Sequence, residues 1–145
     1  MPKQANQENG QSGHRQVEHT ADIALELWGP SEAAMLREGL LALVAVLTEG
    51  ATVAADERRS VEIDALDPED RLVRWLNELL YLASVEGFVA ADAGLELTDC
   101  GLRAVLRGTR DGHALLATEV KSATYHGVAV VHERDRVTGR VILDV

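Results

Sequence analysis

After Gly87 the chain loses its helical period, and this limits the folds open to it more than any other feature. Leu95 to Thr98 and Leu102 to Arg107 flank a tight Asp99-Cys100-Gly101 turn, which is a hairpin signal. Phe88-Val89 reads as a short strand and Asp111-Gly112 as another turn. Ala123 to Glu133 and Arg140 to Val145 flank Asp135 to Gly139 and read as a closing hairpin. Strands that follow one another through short turns pair antiparallel, because a parallel pair needs a long crossover.

Both helical patterns fall before Gly87. Ser31 is a good N-cap with Glu32 behind it, and Leu36, Leu40, Leu43 and Leu47 recur at helical spacing up to Thr48-Glu49-Gly50. Asp67-Pro68-Glu69-Asp70 is a strong helix start: a capping acid, proline at the first helical position, then two more acids at the positive end. Leu72, Leu76, Leu79, Leu80 and Ala83 form the buried stripe of this second helix, and Glu86-Gly87 stops it. Glu78 points away from the centre of that stripe and reads as a solvated acid. Between the helices, Val61, Ile63 and Ala65 alternate with Glu62 and Asp64, giving a strand over Arg58 to Leu66 with one wet face. A first strand is expected from Gln16 to Trp28, ended by Gly29-Pro30, with Ile23, Leu25 and Leu27 on one face and Ala24, Glu26 and Trp28 on the other. The pattern implies an α+β fold of one domain, with mainly antiparallel sheet and two amphipathic helices.

A chain of 145 residues is right for one core, and apolar residues at 46% are enough to fill it. Residues 1–15 are rich in Gln, Asn, Gly and Ser and are expected to form a disordered tail, leaving 16–145 as the domain. The net charge of −10 argues against a nucleic-acid backbone as direct partner and is compatible with a basic protein or with cations. The single cysteine, Cys100, suits a reducing compartment, and a cytoplasmic protein is expected. No stretch of 18 apolar residues exists, so no membrane span is expected.

Glu18-His19-Thr20-Ala21-Asp22 puts two acids and a histidine within five residues, directly before the alternation of the first strand. The plain reading is a polar turn; the other is a cluster of ligands held at the mouth of a buried strand. Asp144 alternates with Leu143 and Val145 in the last strand, and Asp22 opens the first, so the two acids are plausible partners across a sheet. Two carboxylates brought together repel each other unless a cation compensates. Oxygen ligands favour Ca²⁺, Mg²⁺ or Mn²⁺, while His19 would tilt the site toward a transition metal and the terminal carboxylate of Val145 would add charge. Lys121 reads either as half of a surface ion pair with Glu119 or as a point charge for a phosphate. Tyr125 and His126 are proton-transfer groups by type, with packing as the plainer reading. There is no phosphate-binding glycine loop, no Cys pair for zinc and no Gly-x-Ser-x-Gly elbow. No independent catalytic machinery is evident, so a non-enzymatic protein is expected. The alternative is a small metal-dependent phosphoester hydrolase using Asp22, Asp144 and His19. A general folding chaperone would call for a surplus of exposed apolar surface, which the sequence does not suggest.

Four stretches occur in order: Glu18 to Asp22, Trp75 to Tyr81, Thr118 to Gly127, and Val141-Ile142-Leu143-Asp144-Val145. Together they resemble the archease family, the small accessory proteins of RtcB-type RNA ligases, from about Val17 to Val145. One departure is visible: the family usually begins the first motif with Asp, and here Glu18 keeps the carboxylate but moves it one methylene out. The resemblance implies the same α+β class and a divalent cation held by acids at the positions of Asp22 and Asp144. It also favours a partner or nucleotide contact at Lys121, with Glu18 a second candidate for such a contact. It implies a role in tRNA splicing and RNA repair, promoting guanylylation of the ligase and its multiple turnover. RNA would be met only through the ligase, and no nucleotide is expected on this chain alone.

Overall fold

The computed structural model describes residues 11–19 and 22–145. Among these residues seven strands and two α-helices follow one another: β1 (Gly13–His19), β2 (Asp22–Gly29), α1 (Glu32–Thr48), β3 (Glu57–Asp64), α2 (Pro68–Ser84), β4 (Val89–Thr98), β5 (Gly101–Thr109), β6 (Ser122–Glu133) and β7 (Arg136–Asp144), with a short 3-10 turn at Gly112–Leu115. They form two antiparallel sheets, one in the order β1-β2-β7-β6 and one in the order β3-β5-β4. The expected α+β class and both helices are present. Ser31 Oγ accepts from Ala34 N–H at 3.1 Å and Asp67 Oδ1 from Asp70 N–H at 2.8 Å, so both helices begin on the capping residues that the sequence marks.

Helix α1 packs against β2 and β4, and α2 packs chiefly against β6. Leu25, Leu27, Leu36, Leu72, Trp75 and Leu143 are essentially inaccessible and lie in one continuous core. The Trp75 indole N–H donates to the Leu36 carbonyl at 2.7 Å, so the largest core side chain leaves no polar atom unsatisfied. Buried Glu32 pairs with Arg71 of α2 at 2.7 Å, and Glu38 pairs with His14 of β1 at 2.8 Å. Gly101 lies opposite Asp64, where a Cβ would sit 1.7 Å from the Ile63 carbonyl oxygen. Only glycine lets β3 and β5 approach so closely there.

Four strand expectations change. The single strand from Gln16 to Trp28 is a hairpin, β1 and β2, paired from Gly13↔Trp28 to His19↔Asp22. No Gly, Pro or Asn marks its turn, so alternation runs through the break unseen; Thr20 and Ala21 lie outside the described residues. Gly13, His14 and Arg15, expected in the tail, are strand residues, and residues 1–10 of the tail also lie outside the described residues. Phe88-Val89 and Leu95 to Thr98 were expected as separate strands; from Val89 they are one, β4, with a register shift between Ala90 and Asp92. The run Ala90-Ala91-Asp92-Ala93-Gly94 has no apolar alternation to read, and pairing with β5 imposes the strand. Finally, β7 begins at Arg136, because Glu133 pairs with Arg136 and the turn is only Arg134-Asp135.

The candidate acid row and its lysine

β2 begins with Asp22 and β7 ends with Asp144, and antiparallel pairing sets these two residues directly opposite each other. Register extends the row across the whole sheet: His19 on β1, Asp22 on β2, Asp144 on β7 and Ser122 on β6. Residues opposite in an antiparallel pair share a face, with Cβ atoms about 4.5–5.5 Å apart. Two carboxylates at that spacing can converge on one hard cation, whose oxygen contacts are about 2.0–2.6 Å. The next row, Glu18, Ile23, Leu143 and Ala123, includes fully buried Leu143. Glu18 is therefore one row away from the two aspartates in register. Asp22 is half-buried and Asp144 exposed, so the row meets solvent at the end of the sheet. Among the described residues no group of three or more His, Cys, Asp or Glu side chains gathers to hold a metal. The carboxylates of the described row are those of Asp22 and Asp144, with Ser122 and exposed Val145 beside them.

Lys121 joins the row through its main chain: its N–H donates to the Asp144 carbonyl at 2.7 Å. Its side chain is exposed, and among the described residues no ion pair joins it to Glu119. The surface-pair reading of Lys121 therefore fails: the exposed side chain lies by Leu47, Ser84 and Leu116, and only its main chain is tied to Asp144. Asn77 of α2 fixes this corner. Its Nδ2 donates to the Ala123 carbonyl at 3.1 Å, and its Oδ1 accepts from the Ala123 N–H at 2.8 Å. The amide side chain thus stands in for a neighbouring strand at the start of β6. Sequence reading missed this role, and the available signal was a lone amide beside the apolar stripe of a helix.

Tyr125 and His126 lie in a four-residue irregularity of β6, between the pairs Thr124↔Ile142 and Ala129↔Arg140. The Tyr125 hydroxyl donates to Asp70 Oδ1 at 2.5 Å. Asp70 also accepts from the Leu66 N–H at 2.9 Å and from Arg74 Nε at 3.0 Å. The Tyr125 hydroxyl above all, then the Leu66 N–H and Arg74, hold the Asp70 carboxyl below the usual carboxylate range. The same bond pushes the Tyr125 hydroxyl up, away from any role as an acid near neutrality. Tyr125 is thus a strut between β6 and α2. Cys100 is exposed in the β4–β5 turn, as expected, and among the described residues no helix is long and apolar enough to cross a membrane.

Residues 14–145 match the model of the Archease protein family (MTH1598/TM1083). The chain is 32% identical over 135 residues to Protein archease of Archaeoglobus fulgidus, covering 91% of this chain and 98% of that protein. It is 30% identical over 135 residues to Protein archease of Methanothermobacter thermautotrophicus, covering 87% and 94%. The solution structure of Methanobacterium thermoautotrophicum protein 1598 superposes with a TM-score of 0.73 at 29% identity, over 92% of this chain and 99% of that one. A crystal structure from Thermotoga maritima, described as an archease and possible chaperone, shares the fold with a TM-score of 0.64 at 24% identity, over 90% and 96%.

Proposed function

The chain belongs to the archease family, and on that footing we propose that it is a non-enzymatic accessory protein of an RtcB-type RNA ligase in the cytoplasm. In this reading it promotes guanylylation of the ligase, and hence multiple turnover in tRNA splicing and RNA repair. The observation that carries the reading is the alignment of Asp22 with Asp144, with the Lys121 main chain hydrogen-bonded to Asp144. Asp22 and Asp144 would hold a divalent cation, Ca²⁺, Mg²⁺ or Mn²⁺. When bound, such a cation neutralises phosphate charge and polarises phosphate oxygens. The protein's own contribution is positional. The two sheet-borne carboxylates would fix the place of positive charge, and exposed Lys121, tied to Asp144 by its main chain, would add a second positive charge at this end of the sheet. Positioning and electrostatic stabilisation dominate phosphoryl transfer, so a partner can supply both without a nucleophile of its own. The net charge of −10 supports a basic protein as the thing met.

The test mixes the protein with an RtcB-type ligase, GTP, manganese and RNA ends. Wild type is expected to raise both ligase guanylylation and the number of turnovers, and Lys121→Ala to lose most of that effect while still binding metal. Equal ligation with and without the wild-type protein would overturn the reading. Phosphoester cleavage by the protein alone, lost in Asp144→Asn, would instead favour the hydrolase.

A further inference from the structure

The row of acids is only one end of the outer face of the four-stranded sheet. Four residues along β2, the same face carries Arg15, Glu26, Arg140 and Ala129 in one row. The row after it holds Gly13, Trp28, Thr138 and Val131. At about 3.3 Å per residue, the Glu26 row lies roughly 13 Å from the Asp22 row, beyond the reach of a shared ligand atom. Between these last two rows is a cavity of about 340 Å³. It exists because the row position next to Arg140 is filled only by Ala129.

Its walls are unusual for so acidic a molecule. Among the described residues, Arg15, Arg136 and Arg140 line it with one carboxylate, Glu26, so the described wall is rich in positive charge on a chain of net charge −10. Glu26 accepts from Arg15 and, at 3.5 Å, from Arg140, which leaves other N–H groups of both forks available for a ligand. The Arg136 guanidinium lies 5.9 Å from the centroid of the Trp28 ring. The Trp28 indole N–H is buried and has no hydrogen-bond partner among the described residues. That N–H lies against Gly13, so the ring meets the cavity through its apolar surface. Trp28, Ala129 and Val131 add apolar wall.

We infer that this cavity binds a phosphate monoester carrying a flat apolar body, of the class of a nucleoside monophosphate. The forks of Arg15 and Arg140 take the phosphate in the two-pronged geometry that guanidinium allows, the apolar wall takes the flat body, and Glu26 sets a ceiling on affinity by competing for the same forks. The inference is independent of the ligase reading and of any cation at Asp22 and Asp144.

The molecule contains its own reporters. Trp28 and Trp75 are its two tryptophans, and the Trp75 indole N–H is bonded to Leu36 in the core. The full chain, ¹⁵N-labelled and in chelator at low ionic strength, is titrated with adenosine monophosphate and separately with inorganic phosphate. Adenosine monophosphate should move the Trp28 indole signal saturably and leave Trp75 still, with inorganic phosphate binding at least tenfold more weakly. Arg140→Ala should weaken binding tenfold or more, Arg140→Lys should rescue it only in part, and Glu26→Gln should tighten it several-fold. Asp144→Asn should leave it unchanged. An unmoved Trp75 signal in each variant certifies the fold. A still Trp28 signal, equal affinity for the two anions, or binding that survives Arg140→Ala would each overturn the proposal.

Discussion

Asp22 and Asp144 differ from an ordinary pair of surface acids because the pairing of β2 with β7 sets them directly opposite each other. The expected signature is a metal-dependent stability. In chelator, Asp22→Asn and Asp144→Asn should melt at or above the wild-type temperature, since each relieves a like-charge contact. Ca²⁺, Mg²⁺ or Mn²⁺ should then stabilise wild type by mass action and the variants much less. Identical metal-induced shifts in thermal melts of all three proteins would exclude a shared site. Asp70 makes a different residue-scale prediction. Its carboxyl is held below the usual range by Tyr125, Leu66 N–H and Arg74, so it binds protons less readily folded than unfolded. Such a group stabilises the fold above the unfolded value, near 3.9, and loses that contribution as the pH falls through the folded value. Wild type should therefore lose stability between about pH 5 and pH 2 more steeply than Asp70→Asn, which is already weakened at neutral pH. Tyr125→Phe should cost about 1 kcal/mol at neutral pH and move the Asp70 titration upward, as NMR of the carboxyl would show.

At the scale of elements, β6 is the strand held by the most varied means. It pairs with β7 on one side, and its other edge is occupied by side chains of α2 instead of another strand. Asn77 takes both main-chain groups of Ala123, and Glu69 accepts from the Val130 N–H at 3.0 Å. An edge strand satisfied in this way is closed to pairing with another chain over those residues. Asn77→Leu should lose two hydrogen bonds and leave the buried Ala123 groups unpaired, a destabilisation of roughly 1–3 kcal/mol. Hydrogen exchange is the direct check: protection should fall most at Ala123 and little in α1. Because Lys121 and Ser122 precede Ala123, the same variant should, on the proposed function, also lower ligase stimulation although Asp22 and Asp144 are unchanged.

For the whole molecule, the boundary of the fold is set by β1. Trp28 lies over Gly13, where a Cβ would meet the indole at 2.6 Å, and His14 bonds buried Glu38. Truncation after His14 strips the cover from Trp28 and leaves Glu38 without its partner, whereas truncation after Gly10 removes neither contact. The shorter protein should melt roughly 3–8 °C below the one cut after Gly10, corresponding to about 1–2 kcal/mol at this size. Equal melting temperatures for the two would mean that β1 adds nothing to the cooperative unit.

Local signals in the sequence determined the parts of this protein that depend on nearest neighbours. Ser31 and Asp67 fixed the helix starts, the leucine spacing fixed the buried faces, and Asp99-Cys100-Gly101 fixed a turn, because caps, periods and tight turns are interactions among residues a few positions apart. The pairing of Asp22 with Asp144 was legible as far as the two strand ends were, since each acid sits at a terminus of an alternating run. Pairing across the chain decided the rest. The β1–β2 break has no turn residue to announce it, and the continuity of β4 through its alanines is imposed by β5. The union of Arg15, Glu26 and Arg140 in one row joins residues 11 and 114 positions apart, and nothing in the local spacing of either arginine marks that neighbourhood. The Asn77 clamp and the Tyr125–Asp70 bond are of the same kind, 46 and 55 positions apart. Each depends on which strand lies beside which helix, a choice made by burial of the whole core and carried by no single segment.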